Sequence, residues 1–414
     1  MMRFLLLAAS TLLCSLSAQR SWIVDPRGGG DFPDLAPAVA ASSPGDTLIL
    51  RYGPFNGTVI DKGIRIVTDM WGSPGVRGRI TVRAIPPSET VVLTNLSGAP
   101  YNEPQFSLSI ENCAGAVHVG NVYLTPSGDP IQTRSRVDIV DSEHVTFCST
   151  RIVDVSILRS NVVFTLCQMA GDGWPRSSPI TAFPALDCID SNLILTQCSL
   201  RGGRMNGGSG VVPGIRMKGG TVRITADEHL PRLYFWRRVT GGYRRDSNGV
   251  AHDGPAIHSD GGVVEVDPRV ILSTFSGNGP FTTGTSTFVT RAIPAITTNE
   301  GNPRIGADDL IARIHGPAGA RGFVFLSKPH APTTVPGLGQ LWVDPRNLIF
   351  FGSGTVSAGS SVEVREPLPL GIRSLGETFA LQALLLDQGG FELTTPVHPI
   401  LVTLGDVGYG STAP

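Results

Sequence analysis

The feature that most constrains this chain is an internal repeat near its middle. Residues 160–167, SNVVFTLC, align without gaps with residues 191–198, SNLILTQC, and residues 142–148, SEHVTFC, are close to a third copy. In chain order the three copies end 19 and then 31 residues apart, and an insertion rich in Pro, Gly and Ser over residues 171–185 accounts for the longer spacing. Repeats near 20 residues, each too short to bury an apolar core alone, predict stacked coils in a solenoid.

Runs of strand length surround the repeat and predict an all-β fold. They alternate or are wholly apolar, Gly, Asn or Ser stands at their ends, and no useful length of helical periodicity lies between them. The 50 glycines and 32 prolines, with 16% charged residues, exclude a helical bundle or coiled coil. A meander or propeller would need hairpin turns or four strands in longer units, so a parallel β-helix is favoured. The runs are residues 107–110, 117–124, 137–140, 145–152, 162–166, 193–200, 221–225 and 263–266.

Residues 22–50 are suited to cover the first coil. They read as a strand, a Gly-rich turn, one short amphipathic helix around Leu35 to Ala41 and the first coil strand. A solenoid needs such a cover because its first coil otherwise exposes an open edge. The strings GGGDFPDL and AVAASSPGDTLIL in this segment are similar to the capping segment of pectinesterases. From about Trp22 to Pro268 the chain therefore resembles the pectin lyase-like superfamily of right-handed parallel β-helices, which implies the fold and leaves the chemistry open.

The amino terminus predicts export. A short positively charged start, an apolar run over residues 4–16 and small residues before Gln19 form a signal peptide over residues 1–18. A lipoprotein signal at Cys14 is disfavoured because Leu13 is too large for the position before a modified cysteine. No later apolar run reaches about 18 residues, so membrane insertion is not expected. We expect a secreted protein, located outside the cell, on its surface or in the periplasm.

Removal of the signal peptide leaves an odd number of cysteines, which cannot all pair in disulfides. Cys167 and Cys198 occupy the same repeat position, and Cys148 ends the near-copy. A column of small buried thiols is therefore favoured over a structural disulfide. The sequence contains no C-x-x-C pair, so a cysteine metal site is not expected. The sequence predicts no cofactor, and nothing in it supports Ca²⁺ binding.

The enzymes that share this fold carry recognisable sets of catalytic residues, and the resemblance implies that one of these sets is present if the chain is such an enzyme. Polygalacturonase-like hydrolases carry Asn-Thr-Asp, Asp-Asp and Gly-His-Gly on successive coils, pectinesterases carry a Gln-Asp pair, and pectate lyases carry R-x-P-x-x-R. The one Asp-Asp pair, Asp308-Asp309, lies beyond the solenoid, and His118, His252 and His258 stand in other contexts. The known chemistries of the superfamily are therefore not supported by the sequence.

One set of charged residues falls into repeat register. Residues 138–142, DIVDS, are equivalent to residues 187–191, DCIDS, so Asp141, Arg159 and Asp190 are expected to stack at about 4.8 Å per coil. Two carboxylates about 10 Å apart approach the separation in an inverting glycosidase. An arginine between them keeps both ionised, whereas a general acid needs a raised pKa. A structural ladder is therefore favoured over a catalytic site.

A basic and aromatic stretch is the candidate binding site. It interrupts the coil pattern between Ile224 and Ile257, which indicates an insertion on the solenoid flank. Aromatic faces stack on sugar rings, and Arg pairs bidentately with carboxylate or sulfate, so the mixture suits an anionic glycan. A strand pair packing on the next domain and a solvated loop are the alternatives, and a metal site of the nearby histidines lacks tight ligand spacing. The candidate residues are Tyr234, Trp236, Arg237, Arg238, Tyr243, Arg244 and Arg245.

Beyond about residue 292 the repeat gives way to longer alternating strands. Several such runs, separated by Gly and Pro turns, predict a small antiparallel β-sandwich over residues 293–405 after a solenoid over residues 19–292. The string TFALQALLLD, followed by PILV, resembles a C-terminal module of secreted proteins from Planctomycetes-type bacteria. Such a module is expected to adhere, to support secretion or to cap the open end of the solenoid. Residues 406–414 are predicted to form a tail.

Taken together, these features favour a secreted, non-catalytic β-helix protein that contacts extracellular polysaccharide, with an anionic glycan best suited to the Arg-rich stretch. One alternative is a polysaccharide lyase or glycosidase with an unfamiliar site around Asp141, Asp190 and residues 237–245. Another is a purely structural surface protein. A net charge of −1 provides no general attraction for nucleic acid or an anionic membrane.

Overall fold

The computed structural model describes residues 19–68, 74–98, 106–124, 135–171, 183–206, 212–226, 238–245, 250–277, 280–298, 303, 309–357, 361–367 and 376–400. The predicted signal peptide lies outside these ranges. Within them, no helix is long and apolar enough to cross a membrane. Strands supply nearly all of the regular structure.

The described residues between Ser21 and Thr290 form a parallel β-helix, which confirms the predicted fold class. Strands pair in register with the equivalent strands of neighbouring coils, as Asn161 does with Asn192. Sheet 1 has eleven strands and runs the length of the solenoid. Its strands are β1 (Ser21–Val24), β2 (Thr47–Leu50), β5 (Arg65–Thr68), β8 (Thr90–Thr94), β11 (Ala116–Gly120), β13 (His144–Cys148), β16 (Asn161–Thr165), β19 (Asn192–Thr196), β23 (Thr221–Thr225), β28 (Val263–Val266) and β31 (Thr287–Thr290).

Two further parallel sheets complete the coils. Sheet 2 consists of β4 (Val59–Ile60), β7 (Arg79–Arg83), β10 (Ser107–Glu111), β12 (Val137–Val140), β15 (Val155–Leu158), β18 (Leu186–Ile189), β22 (Ile215–Lys218), β27 (Ile257–Asp260) and β30 (Thr282–Gly284). Sheet 3 consists of β14 (Arg151–Val153), β17 (Gln168–Ala170), β20 (Ser199–Arg201), β24 (Arg238–Thr240) and β29 (Ile271–Ser273). Two three-stranded sheets lie beside them: β3 (Pro54–Asn56), β6 (Gly75–Arg77) and β9 (Ser97–Gly98), and β21 (Arg204–Asn206), β25 (Tyr243–Arg245) and β26 (Ala251–Asp253).

Side chains alternate between the solenoid core and its outside along each strand. The inward positions of sheet 1 stack in columns, as Phe147 does on Phe164, with ring centroids 4.9 Å apart. After strands of this sheet the chain turns through residues with a left-handed backbone, such as Asn95 at φ 60° and Asn121 at φ 50°. Asn tolerates that conformation because its short side chain can bond locally. Neighbouring coils thus repeat both the core columns and the corners.

The predicted cap is present at the amino end. Strand β1 pairs in parallel with β2, and helix α1 (Leu35–Ala41) follows after the Gly-rich turn. The Asp34 carboxylate accepts a hydrogen bond from the Leu35 amide at 2.8 Å, as is usual at the start of a helix. Leu35, Ala38 and Val39 join the solenoid core. The helix therefore covers the apolar surface of the first coil.

An antiparallel module follows the last coil, as the strand pattern predicts. The module has its own hydrophobic core, separate from that of the solenoid, which contains Leu310, Val324 and Leu381. One sheet consists of β32 (Ala295–Thr297), β33 (Asp309–His315) and β38 (Val362–Pro367). The other has the order β37 (Ile349–Thr355), β34 (Arg321–Ser327), β39 (Ala380–Asp387) and β40 (Gly390–Leu393), and β35 (Pro329–Val335) forms a hairpin with β36 (Gly339–Val343). We call residues 295–400 the C-terminal module.

The C-terminal module packs against the outer face of sheet 1. Trp342 of the module forms one apolar cluster with Val163 and Ile194, which point outward from β16 and β19. Farther along the same face, the Thr196 and Thr395 hydroxyls are 3.4 Å apart. These contacts lie in the middle of the sheet. The module therefore covers a face of the solenoid, whereas an end cap was one of the roles predicted from the sequence.

The five cysteines of the described chain are free and buried, in agreement with the preferred hypothesis. Cys167 and Cys198 follow paired strands and share one repeat position. The alignment of Cys148 with them was wrong, because Cys148 pairs with Thr165. Thr150 takes the equivalent place, and its hydroxyl is 3.2 Å from the Cys167 sulfur. Cys148 instead lies, buried, on the outer face of sheet 1.

Candidate ligand-binding site

A cleft opens between sheet 1 and the C-terminal module. Its cavity measures about 340 Å³, which is within the range of small-molecule and cofactor binding sites. One wall is formed by outward side chains of late coils, and the other by the turn between β35 and β36 and by β40 with the segment after it. The lining residues used below are Arg223, Arg291, Gln340, Phe391, Glu392 and Thr394.

The charged wall of the cleft follows from strand alternation. Arg223 is the central residue of β23, between the inward residues Val222 and Ile224. Glu265 takes the equivalent outward place on β28, and the two residues are register partners. Adjacent parallel strands bring such partners to about 4.8 Å. The repeat itself thus places Arg223, which lines the cleft, beside Glu265.

An ion network joins the solenoid to the module across this cleft. Arg223 Nε donates to Glu265 Oε2 at 2.7 Å. Arg291, which follows the last solenoid strand, donates to the same oxygen from Nη2 at 3.3 Å and to Glu392 Oε1 from Nη1 at 2.9 Å. Arg223 uses only Nε in this network, so its terminal nitrogens remain as donors. A guanidinium has five N–H donors in a planar fork, which suits a carboxylate or sulfate.

The network keeps Glu265 ionised. Burial raises the pKa of its carboxyl, but the positive charges and hydrogen bonds of Arg223 and Arg291 outweigh that effect and lower the pKa below its usual value. Burial lowers the pKa of Arg291, whereas Glu392 and Glu265 raise it, and the result is a raised pKa. A general acid must hold a proton near the working pH. Glu265 is therefore suited to orienting the arginines and is unsuited to donating a proton.

Apolar and neutral polar groups complete the cleft. The Phe391 ring is 54% exposed, an unusual degree for Phe, and it stands next to Glu392 on β40. Gln340 and Thr394 add an amide and a hydroxyl to the lining. Aromatic faces, arginine forks and neutral hydrogen-bonding groups together match the faces, acidic groups and hydroxyls of a glycan. In the described part of the chain, no three His, Cys, Asp or Glu side chains are placed to hold a metal ion.

The charged residues that fall into repeat register, Asp141, Arg159 and Asp190, lie away from the cleft, at an exposed corner between sheets 2 and 1. Arg159 donates to both Asp141 oxygens, from Nε at 2.6 Å and from Nη2 at 2.7 Å. Asp141, Arg159 and Asp190 all have left-handed backbone, with φ of 48°, 45° and 47°. The hydrogen bond from Arg159 lowers the pKa of Asp141. The structure brings these residues together as one exposed ion pair with Asp190 beside it.

The predicted basic and aromatic site is only partly described. Tyr234, Trp236 and Arg237 lie outside the described residues, as does the side chain of Arg245. Arg238 belongs to β24, a regular strand of sheet 3 that pairs with β20 and β29, so at this residue the chain follows the coil pattern.

The rest of that stretch forms part of the solenoid flank. Tyr243 stacks on Phe275 with ring centroids 4.3 Å apart, and the Arg201 guanidinium lies 5.3 Å from the Phe275 centroid. Arg244 pairs with His252 in the antiparallel ladder of β25 and β26. Phe275 is 41% exposed. The described part of the flank therefore has a small aromatic and basic patch, as sequence composition suggests.

The cleft residues were missed from the sequence. Arg223 and Glu265 carry a recognisable signal, because each is the one charged residue at the centre of an otherwise uncharged strand, TVRIT and VVEV. Arg291 and Glu392 carry none, since their meeting depends on how the module lies on the solenoid. Aligning the central outward positions of consecutive coils would have found half of the site.

Comparison with known proteins leaves the function open. No family model matches the chain, and no curated protein matches it. Among solved structures, the chain is similar at 13% identity to the chitinase ChiW of Paenibacillus sp. str. FPU-7, a cell-surface-expressed multi-modular enzyme. The match covers 84% of this chain and 23% of the chitinase, with a TM-score of 0.16. The chain thus spans about a quarter of that protein's length, and so weak a likeness carries no argument about activity.

Proposed function

We propose that this protein is a secreted, non-catalytic β-helix protein of the pectin lyase-like kind that binds an anionic polysaccharide in the cleft between sheet 1 and the C-terminal module. The observation that carries the proposal is the network of Arg223, Glu265, Arg291 and Glu392 beside the exposed Phe391 ring. Arginine donors that line a concave site recognise carboxylate or sulfate groups, and an exposed ring offers a face to the sugar.

Binding is favoured over catalysis by the state of the carboxylates. Glu265 is held ionised by two arginines, and Asp141 is held ionised by Arg159. Glycoside hydrolysis needs one protonated carboxyl beside one ionised carboxylate. At both places the carboxyls with a shifted pKa, Glu265 and Asp141, are shifted downward, which is the opposite of what a general acid needs.

The proposal is tested by binding of the chain from Gln19 onward to a panel of uronic-acid, sulfated and neutral polysaccharides, by affinity electrophoresis and calorimetry. We expect retention of acidic polysaccharides, weakened by added salt because the contacts are ionic. Arg223→Gln should weaken that affinity about 10-fold or more, the usual cost of a lost charge-assisted hydrogen bond. Arg159→Gln is the matched control, since this arginine is equally charged and lies outside the cleft.

The aromatic wall is tested in the same way. Phe391→Ala should weaken binding about 5-fold through lost ring contact. Phe350→Ala should leave the affinity unchanged, because Phe350 is similarly exposed but lies on β37, at the opposite edge of the same sheet. Failure of every acidic polysaccharide to bind, or equal affinity of Arg223→Gln and the unaltered chain, would refute the proposal.

The catalytic alternative has its own readout in the same panel. Incubation with each polysaccharide, followed by absorbance of unsaturated products and a reducing-sugar assay, should detect no turnover. Product formation that is abolished by Asp190→Asn or by Glu265→Gln would overturn the non-catalytic assignment.

A further inference from the structure

Three histidines meet where the C-terminal module lies on sheet 1. His118 and His144 project from the outer face of β11 and β13, and His398 comes from the module. Ring centroids are 5.4 Å apart for His118 and His144, 5.8 Å for His118 and His398, and 5.5 Å for His144 and His398. The three rings therefore form a closed triangle across the interface, which we call the histidine cluster.

Trp342 closes this cluster from the module side. Its ring centroid is 5.3 Å from that of His144 and 5.9 Å from that of His398. The exposed fraction is 0% for His118, 1% for His144 and His398, and 2% for Trp342. The cluster is thus sealed from solvent only while the module is docked, because two of its rings belong to the outer surface of the solenoid.

Most of the ring nitrogens lack a hydrogen-bond partner among the described residues. His118 Nδ1 lies 2.6 Å from the Thr146 hydroxyl. His118 Nε2, His144 Nε2 and both nitrogens of His398 have none. Burial takes a charged imidazolium away from bulk water, and no carboxylate of the described residues forms an ion pair with these three rings. The docked arrangement therefore requires neutral rings.

The surrounding groups reinforce the neutral form. Burial lowers the pKa of His118 to about 3, and burial followed by the other imidazoles lowers the pKa of His144 and of His398 well below the usual value. Strand β35 of the module brings a further base, His330, which also lowers the pKa of His144. The module carboxylate two residues after Trp342, Asp344, is bound by its own turn. The groups that act on the cluster are therefore other imidazoles.

We propose that the histidine cluster is an acid-sensitive latch that holds the C-terminal module on sheet 1 at neutral pH and releases it as the pH falls. When the module leaves, the three imidazoles become solvated and take the ordinary pKa near 6.5. The docked form excludes the protons that the open form binds. Its stability is complete above about pH 6.5 and is lost as the pH falls from there towards the low pKa values of the docked state.

The expected effect is steep because three groups titrate together. For three imidazoles with an open-state pKa near 6.5, the docking equilibrium constant falls about 1,000-fold between pH 7.5 and pH 5.5. Removal of one imidazole reduces this change to about 100-fold. Release exposes the outer face of sheet 1 and, because Trp342 also lines the cleft, opens the cleft as well. The latch does not depend on any ligand of that cleft.

Cys148 supplies a reporter within the natural chain. It lies, buried, on the outer face of sheet 1 and belongs to β13 together with His144. The other four thiols of the described chain belong to the solenoid core. The test is labelling of the full mature chain with 4,4′-dithiodipyridine, which reacts in acid, at pH 7.5, 6.5 and 5.5. Rates are normalised to a model thiol at each pH, and labelled sites are identified by peptide mass spectrometry.

We expect the normalised rate at Cys148 to rise at least 100-fold between pH 7.5 and pH 5.5, while the four core thiols stay unreactive. In His398→Gln the rise should be about 10-fold smaller than in the unaltered chain, and in the control His258→Gln, which alters a histidine of sheet 2, it should be unchanged. A Cys148 rate independent of pH would overturn the latch. Five thiols that become reactive together would do so as well, because that pattern is global unfolding. These two outcomes are decisive in the unaltered chain, even where a variant fails to fold.

Discussion

Sheets 1 and 2 belong to the same coils, yet their outer faces differ. Along sheet 2 the central outward column contains Asp138, Ser156, Asp187 and Arg216, which remain partly or fully exposed. Inward positions of both sheets are mainly Val, Ile and Leu, with Phe147 and Phe164 added in sheet 1 and Cys188 and Met217 in sheet 2. The matching column of sheet 1 contains Val92, His118, Thr146, Val163 and Ile194, all buried. The inward residues thus specify the solenoid, and the outward residues specify which face of it is covered.

A charge on the covered outer face of sheet 1 is expected to have the largest effect on the free energy of unfolding. Val163→Asp should lower the free energy of unfolding by about 4 kcal/mol, because it buries an unpaired carboxylate beneath Trp342. Ser156→Lys, at an outward position of sheet 2 one strand earlier in the same coil, places its charge between Asp138 and Asp187 and should change it by less than about 0.5 kcal/mol. Urea titration of both variants measures the difference. Similar losses in the two would show that sheet 1 is not covered by the module.

The module side of the same contact is expected to give a somewhat smaller effect. Trp342→Ala should cost about 3 kcal/mol, since it leaves a cavity between the module and Val163. Phe350→Ala, which removes an aromatic ring that is 60% exposed, should cost well under about 1 kcal/mol. Thermal unfolding of both variants, together with Cys148 labelling at neutral pH, checks this. Labelling as slow in Trp342→Ala as in the unaltered chain would contradict the role assigned to this ring.

The smallest effect is expected at the exposed corner. Arg159→Gln removes the bidentate pair with Asp141, but solvent screens exposed ion pairs and such pairs contribute little. We expect no measurable change in the urea midpoint. A clear loss of stability would mean that the stacked charges of the corners hold the coils together, and the difference between the two outer faces would then matter less than proposed.

Much of the fold could be predicted from the sequence because its determinants are local. Strand runs, the helix at Leu35–Ala41 and the paired strands β16 and β19 all follow from periodicity, turn residues and alignment of neighbouring coils. The offset of Cys148 was missed because one extra residue between Ser142 and Val145 preserves the look of the repeat while it shifts the strand register. Cys148 therefore lies two residues before Thr150, the position equivalent to Cys167, and it ends β13 on the outer face instead of lying in the core beyond the left-handed corner at Ser149.

The candidate site could be predicted from the sequence only in part. Arg223 and Glu265 are set by strand register and could have been found by comparing outward positions of consecutive coils. The predicted aromatic and basic stretch instead contributes a strand of sheet 3 and a flank patch. The composition of that stretch matched the chemistry of glycan binding. A cleft, however, forms between separate strands and loops, so the sequence of one segment cannot show it.

By itself, the sequence determined a parallel β-helix with an amino-terminal cap and a following antiparallel module, because each coil needs only its neighbours in the chain to bury its core. Only the tertiary structure decided that the module covers sheet 1, that Arg291 reaches Glu392, and that His398 joins His118 and His144. Contacts such as Thr196 with Thr395 join residues 199 positions apart. No local periodicity encodes such pairs, since they follow from the match between two finished surfaces.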